Sequence, residues 1–321
     1  MKLKHLLKHV SPLAGMLAVL IATGCKSDNK KSGEPLAEEP AAPPVVEVVT
    51  KSMEFFAPDT IPSGWNTFVY KNQSTEPHFI LLDNYPEGKT IADTKKEVIP
   101  PFDAGMELIM EGRNDEAMEA FGKLPEWFSQ IVFSGGTGII SAGETAISTV
   151  KLKPGYYVME CYVKMPDGKF HASMGMAKPL IVTEADSGLE APEADVSITL
   201  SSEEGIVFPA EIPPGESIFS VTHADQIVHE NFMGHDLSLV RLDEGADLEA
   251  LEAWMNWATP DGLMSSTLPD GVTFMGGIND APAGTTQYFE AVLTPGSYAF
   301  ISEVPNASEK GMLKPFEVVI E

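Results

Sequence analysis

The feature that most limits what this chain can become is that much of it is written twice. Gly135-Gly136, Ala142-Gly143-Glu144-Thr145, Pro154-Gly155 and Cys161 are matched by Gly276-Gly277, Ala283-Gly284-Thr285-Thr286, Pro295-Gly296 and Ser302, all at one offset of 141. Ile61-Pro62-Ser63-Gly64 returns as Ile212-Pro213-Pro214-Gly215, and Pro77-His78 as Gly234-His235. Gly175-Met176-Ala177-Lys178-Pro179 returns as Gly311-Met312-Leu313-Lys314-Pro315. So many matches in one order mean two copies of one fold. The copies differ in their loops: the first has a longer helical insertion, and the second lacks five residues between Ser302 and Met312.

The texture within each copy is β. Val45–Val49, Met53–Phe56, Thr67–Tyr70, Pro77–Leu82 and Ala146–Leu152 read as strands, and Ile61-Pro62-Ser63-Gly64 as a turn. The 27 Gly and 25 Pro supply the punctuation. Helical spacing appears at Thr90–Val98, Phe102–Glu111 and Asp115–Phe121, with Pro100-Pro101 and Gly112 predicted to break it. The expected fold class is all-β: two sandwiches with short helical insertions. The first spans 45–185 and the second 195–321, with Thr183–Pro192 as linker.

Residues 1–24 read as a targeting segment. Lys2, Lys4 and Lys8 precede the apolar run Leu13–Ala22, and Ala22-Thr23-Gly24-Cys25 closes it with small residues. The run is short for a membrane-spanning helix. This resembles a bacterial lipoprotein signal, which implies lipidation of Cys25 and a place in the cell envelope, periplasmic or surface-exposed. Residues 25–44 lack an apolar period and read as a disordered tether.

With Cys25 lipidated, Cys161 has no partner in its own chain, because the sequence holds 2 Cys. Such a thiol is buried and inert, intermolecular, or a metal ligand. A formal net charge of −26 argues against nucleic-acid partners. There is no Gly-x-Ser-x-Gly elbow, no His-Glu-x-x-His and no phosphate-binding glycine loop, so an enzyme is not expected.

Tyr157, Met159 and Cys161 alternate along one strand and share one face. His78 lies far upstream, and His171, Met174 and Met176 lie just downstream. Two imidazoles, one thiolate and a weak axial thioether form the set that selects copper. Pro77-His78, the Cys161 strand and His171-x4-Met176 together resemble the cupredoxin family, over roughly 45–321. The resemblance implies tandem Greek-key sandwiches, with one copper ion held by His78, Cys161, His171 and Met176 in the first. Met174 competes for the axial place; the Gly-Met-x-Lys-Pro frame favours Met176.

Two departures stand out. Nine residues separate Cys161 from His171, more than the family's usual few, and Phe79 stands where the family often has Asn. Met165-Pro166-Asp167-Gly168 reads as a turn, which predicts a small hairpin returning His171 to the thiol. The second copy has Ser302 for the cysteine and no histidine in Glu303–Lys310, so its site is lost. His223, His229 and His235 read as residues of solvated loops rather than a second metal site. Trp127, Trp254 and Trp257 read as core.

The expected function is one-electron transfer to a redox partner protein. Its rivals are a metal-free surface module that binds a protein or glycan, and copper storage or delivery.

Overall fold

The computed structural model describes residues 45–320. The leader, Cys25 and the tether at 25–44 lie outside the described residues. The described residues fall in one compact unit.

Two matching sets of eight strands make up the fold. The first is β1 (Val45–Lys51), β2 (Glu54–Phe56), β3 (Thr60–Asn72), β4 (His78–Asn84), β5 (Val132–Ile140), β6 (Thr145–Leu152), β7 (Gly155–Glu160) and β8 (Ala177–Asp186). The second is β9 (Val196–Ser201), β10 (Gly205–Val207), β11 (Gly215–His223), β12 (Leu237–Leu242), β13 (Val272–Ile278), β14 (Thr286–Leu293), β15 (Gly296–Ile301) and β16 (Leu313–Val318).

The pairings match as well. β1 runs antiparallel to β2 and parallel to β3, as β9 does to β10 and β11. β3 pairs with β6 as β11 pairs with β14. In the other layer β4 lies between β5 and β7 with β8 beyond, as β12 lies between β13 and β15 with β16 beyond. The fold is all-β, with the same two-layer arrangement of strands in both copies. Burial follows the strand period: Val46, Val48 and Thr50 of β1 turn inward, as do Phe219, Val221 and His223 of β11.

The copies share both layers. β6 pairs antiparallel with β14, placing Ser148 opposite Phe289, and β5 pairs with β13, placing Thr137 opposite Ile278. Each of these four residues faces its own counterpart at the offset of 141, so a local twofold axis runs between the copies. Thr137 Oγ1 and Ser148 Oγ hydrogen-bond at 2.7 Å beside that axis.

Three local expectations need correcting. Ile61-Pro62-Ser63-Gly64 is not a turn but the place where β3 leaves one layer, beside β8, for the other, beside β6. Gly64 takes φ +87° there, a conformation glycine adopts freely. Pro100-Pro101 does not end the helical run; a π turn over Thr94–Val98 leads into Ile99–Met110, whose first turn holds both prolines. The start of the expected linker belongs to β8, with Thr183 opposite Pro62 and Asp186 opposite Ser63.

Candidate metal centre

His78 opens β4, a strand in the middle of its layer with both faces covered. The loop before it is held by Asn72. Its Nδ2 donates to the carbonyls of Glu76 at 2.8 Å and Ser141 at 3.1 Å, and its Oδ1 accepts from Ser74 N and Oγ at 3.0 and 2.7 Å. Buried Asn72 thus sets the entry to the ligand strand. Phe79 does other work: fully buried, it packs edge-on against Tyr162, with ring centroids 4.5 Å apart.

Cys161 follows β7 directly. The next residues form the predicted hairpin: Met165 N donates to Lys169 O at 2.8 Å, Gly168 N to Met165 O at 2.8 Å and His171 N to Val163 O at 2.8 Å. The nine intervening residues therefore go out and return, and His171 comes back beside the sulfur. A tight turn then brings Met176 N to His171 O at 2.9 Å.

The hairpin is also docked on the second copy, a contact with no local sequence signal. Lys164 N donates to Leu263 O at 2.7 Å, and Ser265 N donates to Lys164 O at 2.8 Å. The buried Lys164 ammonium donates to the carbonyls of Thr259 and Pro260. Nearby, Tyr162 OH donates to Glu303 Oε2 at 3.2 Å. These two residues are counterparts at the same offset, and they bond across the join.

Three buried side chains converge at this place. Cys161 Sγ lies 3.7 Å from His78 Nδ1 and 3.8 Å from His171 Nδ1, and the two Nδ1 atoms are 3.2 Å apart. The centre of a triangle with those sides lies about 2.1 Å from every corner, which is metal–ligand distance. Among the described residues this is the one group of three or more His, Cys, Asp or Glu side chains that could hold a metal ion. Two imidazoles and a thiol, with no carboxylate in the set, is the composition that suits copper.

Met176 is fully buried in the same core cluster as Cys161, and its carbonyl accepts from Cys161 N at 3.3 Å. Met174 is 48% exposed.

Without metal all three donors are neutral. Burial, reinforced by the neighbouring His171 ring, pushes His78 down to about 3, and burial alone pushes His171 down to about 4. Burial pushes the Cys161 thiol up to about 12, partly offset by the backbone N–H groups of Phe79 and Val163. Glu76 Oε2 lies 3.4 Å from His171 Nε2, out of line for a hydrogen bond. Its charge favours a proton on Nε2 and leaves the Nδ1 lone pair facing the sulfur.

The other histidines depart from expectation. His223 and His235 are fully buried, not solvated: His223 lies on the inward face of β11, and His229 and Asp225 stand against the ring of His235. Trp127, Trp254 and Trp257 are buried, as expected. An aromatic cavity of about 100 Å³ lies beside the hairpin, walled in part by Phe102, Phe170, Phe232 and Trp257.

No protein-family model matches the chain, and no curated protein does. Among solved structures, it is similar to dithionite-reduced auracyanin from the photosynthetic bacterium Roseiflexus castenholzii, at 21% identity and TM-score 0.25, over 43% of this chain and 94% of that one. It is similar to auracyanin A, a "blue" copper protein from Chloroflexus aurantiacus, at 19% identity and TM-score 0.27, over 44% and 100%. It is also similar to a multicopper oxidase, at 12% identity and TM-score 0.20, over 85% and 87%. At these TM-scores the likenesses add no weight, and the donor triangle carries the case. No helix among the described residues is long and apolar enough to cross a membrane.

Proposed function

We propose that the chain is a lipid-tethered copper protein of the cell envelope, passing single electrons to and from partner proteins. The observation that carries this reading is the convergence of His78 Nδ1, His171 Nδ1 and Cys161 Sγ. Residues 45–185 would form the metal-carrying domain, and 195–321 the domain that braces it. His78, His171 and Cys161 would hold the ion, with Met176 as the weak axial contact. Bound there, copper supplies a one-electron couple.

The protein's own part is to keep the site from changing shape. β4, β7 and the docked hairpin fix the three donors, and the buried surroundings exclude water from the sulfur. The metal-free reading loses its main motive, since the long Cys161–His171 segment is the hairpin that returns His171. Storage or delivery would use the same donors with an exchangeable ion. Repeated reduction and reoxidation of the copper-loaded protein, followed by metal analysis, separates them. Electron transfer predicts full retention, and progressive loss of copper overturns it.

A further inference from the structure

His235 is the second copy's version of His78. Leu237 pairs with Ile278 as Ile80 pairs with Thr137, so the residue two places earlier is His235 in one copy and His78 in the other. The ring of His235 has no thiol to join. Ser302 Oγ donates to Asp236 Oδ1 at 2.6 Å, and Glu303 N donates to the same oxygen at 2.7 Å. His235 meets another imidazole instead: its Nε2 lies 2.9 Å from His229 Nε2.

We propose that His229 and His235 form a second site, reached from solvent on the His229 side, for a borderline divalent cation, with Cu(II) bound most tightly. A nitrogen–nitrogen separation of 2.9 Å suits two adjacent ligands on one ion, since bonds of about 2.05 Å at a right angle span that distance. Asp225 Oδ1 stands 3.5 Å behind His235 Nδ1, and that nitrogen has no hydrogen-bond partner. A carboxylate behind the non-ligating nitrogen is the arrangement that fixes the tautomer of metal-binding histidines.

The loop carrying His229 is folded back to make the contact. His229 N donates to Met233 O at 2.7 Å, and Asn231 and Phe232 take φ +61° and +63° between them. Successive non-glycine residues in that region store strain, and such strain gathers at ligand clamps. Trp257 Nε1 donates to Asn231 O at 3.2 Å and pins the loop. His229 is half-buried and Asp225 is 40% exposed, so water can complete the coordination shell. Imidazoles without a thiolate suit Cu(II), Zn(II) and Ni(II), and the general order of divalent affinities puts Cu(II) first.

The test is a Cu(II) titration of the full chain by equilibrium dialysis, with absorption read alongside. Wild type should bind two ions, and His229→Ala one, that one carrying the Cys161 absorption. Asp225→Asn should keep both sites but weaken the second by about 10–100-fold. Because His229 is half-buried, its truncation leaves the core intact, which a thermal melt checks. A single ion in wild type that carries the Cys161 absorption, or two ions in His229→Ala, overturns the proposal. One colourless ion that His229→Ala removes would leave this site standing and remove the reading for the first copy.

Discussion

Cys161 and Ser302 stand at the same place in the two copies. Each follows the corresponding strand, β7 or β15, and each donates its backbone N–H to a methionine carbonyl, Met176 at 3.3 Å and Met312 at 3.0 Å. Both methionine side chains are also buried in the core, a packing duty that needs no metal and that accounts for methionine in a copy without a thiol. What separates the copies is the side chain at this place and the hairpin that follows it in the first copy alone.

Copper affinity should rise about tenfold per pH unit between about pH 5 and 9. The thiol, held up at about 12, carries its proton throughout that window and must lose it to ligate. His78 and His171, pushed down to about 3 and about 4, have no proton left to lose. Competition with a chelator at several pH values measures the slope. A slope near two would mean that one histidine is protonated in the metal-free protein.

Lys164→Met should destabilise the protein by about 1–3 kcal/mol, because the carbonyls of Thr259 and Pro260 lose a charged donor. The damage should centre on the hairpin. Hydrogen exchange at the His171 amide, bonded to Val163 O, should accelerate more than at β1. Equal acceleration at both places would show that Lys164 does not specifically hold the hairpin.

Gly136→Ala and Gly277→Ala should each cost about 3 kcal/mol or more. A Cβ at Gly136 would fall 2.0 Å from Ile80 O, and one at Gly277 would fall 2.0 Å from Leu237 O, both in left-handed backbone. The clash at Gly136 pushes on β4, two residues from His78, so that variant alone should also weaken copper binding at the Cys161 site, read by its thiolate absorption. Chemical denaturation and copper titration of the pair check both halves of this statement.

Asp280→Asn should gain stability relative to wild type as pH rises from about 4 to about 7. Burial, with the charge of Asp236 adding to it, pushes the Asp280 carboxyl up to about 7 from an ordinary 3.8. The folded protein therefore keeps a proton that the unfolded chain has lost. Asp280's contribution is full below the unfolded value and declines until the folded value is passed. Asparagine does not titrate, so the difference between the two melting curves should grow over that window and then level. A constant difference would contradict the assignment.

The two-copy β fold was legible because turn glycines and strand alternation repeat at one offset, and His78, Cys161 and His171 because their chemistry is distinctive. Local patterns could not show what tertiary contact decides. Gly64 looked like a turn because the sequence carries no mark of a strand changing layers. His235 looked solvated because its burial depends on β-strands distant in sequence. Asn72 and Lys164 carry no signal in the sequence because their partners, such as Ser141 O and Thr259 O, are fixed only once the chain has folded. A lysine followed by Met-Pro-Asp-Gly carries no signal of burial; only the docked second copy supplies it.

The most direct measurement is the absorption spectrum of the purified chain as Cu(II) is added, beside that of Cys161→Ser. A thiolate bound to Cu(II) gives an intense visible band, and one such band is expected in the wild type and none in the variant. A colourless protein, or a band that survives the loss of the Cys161 sulfur, would contradict it.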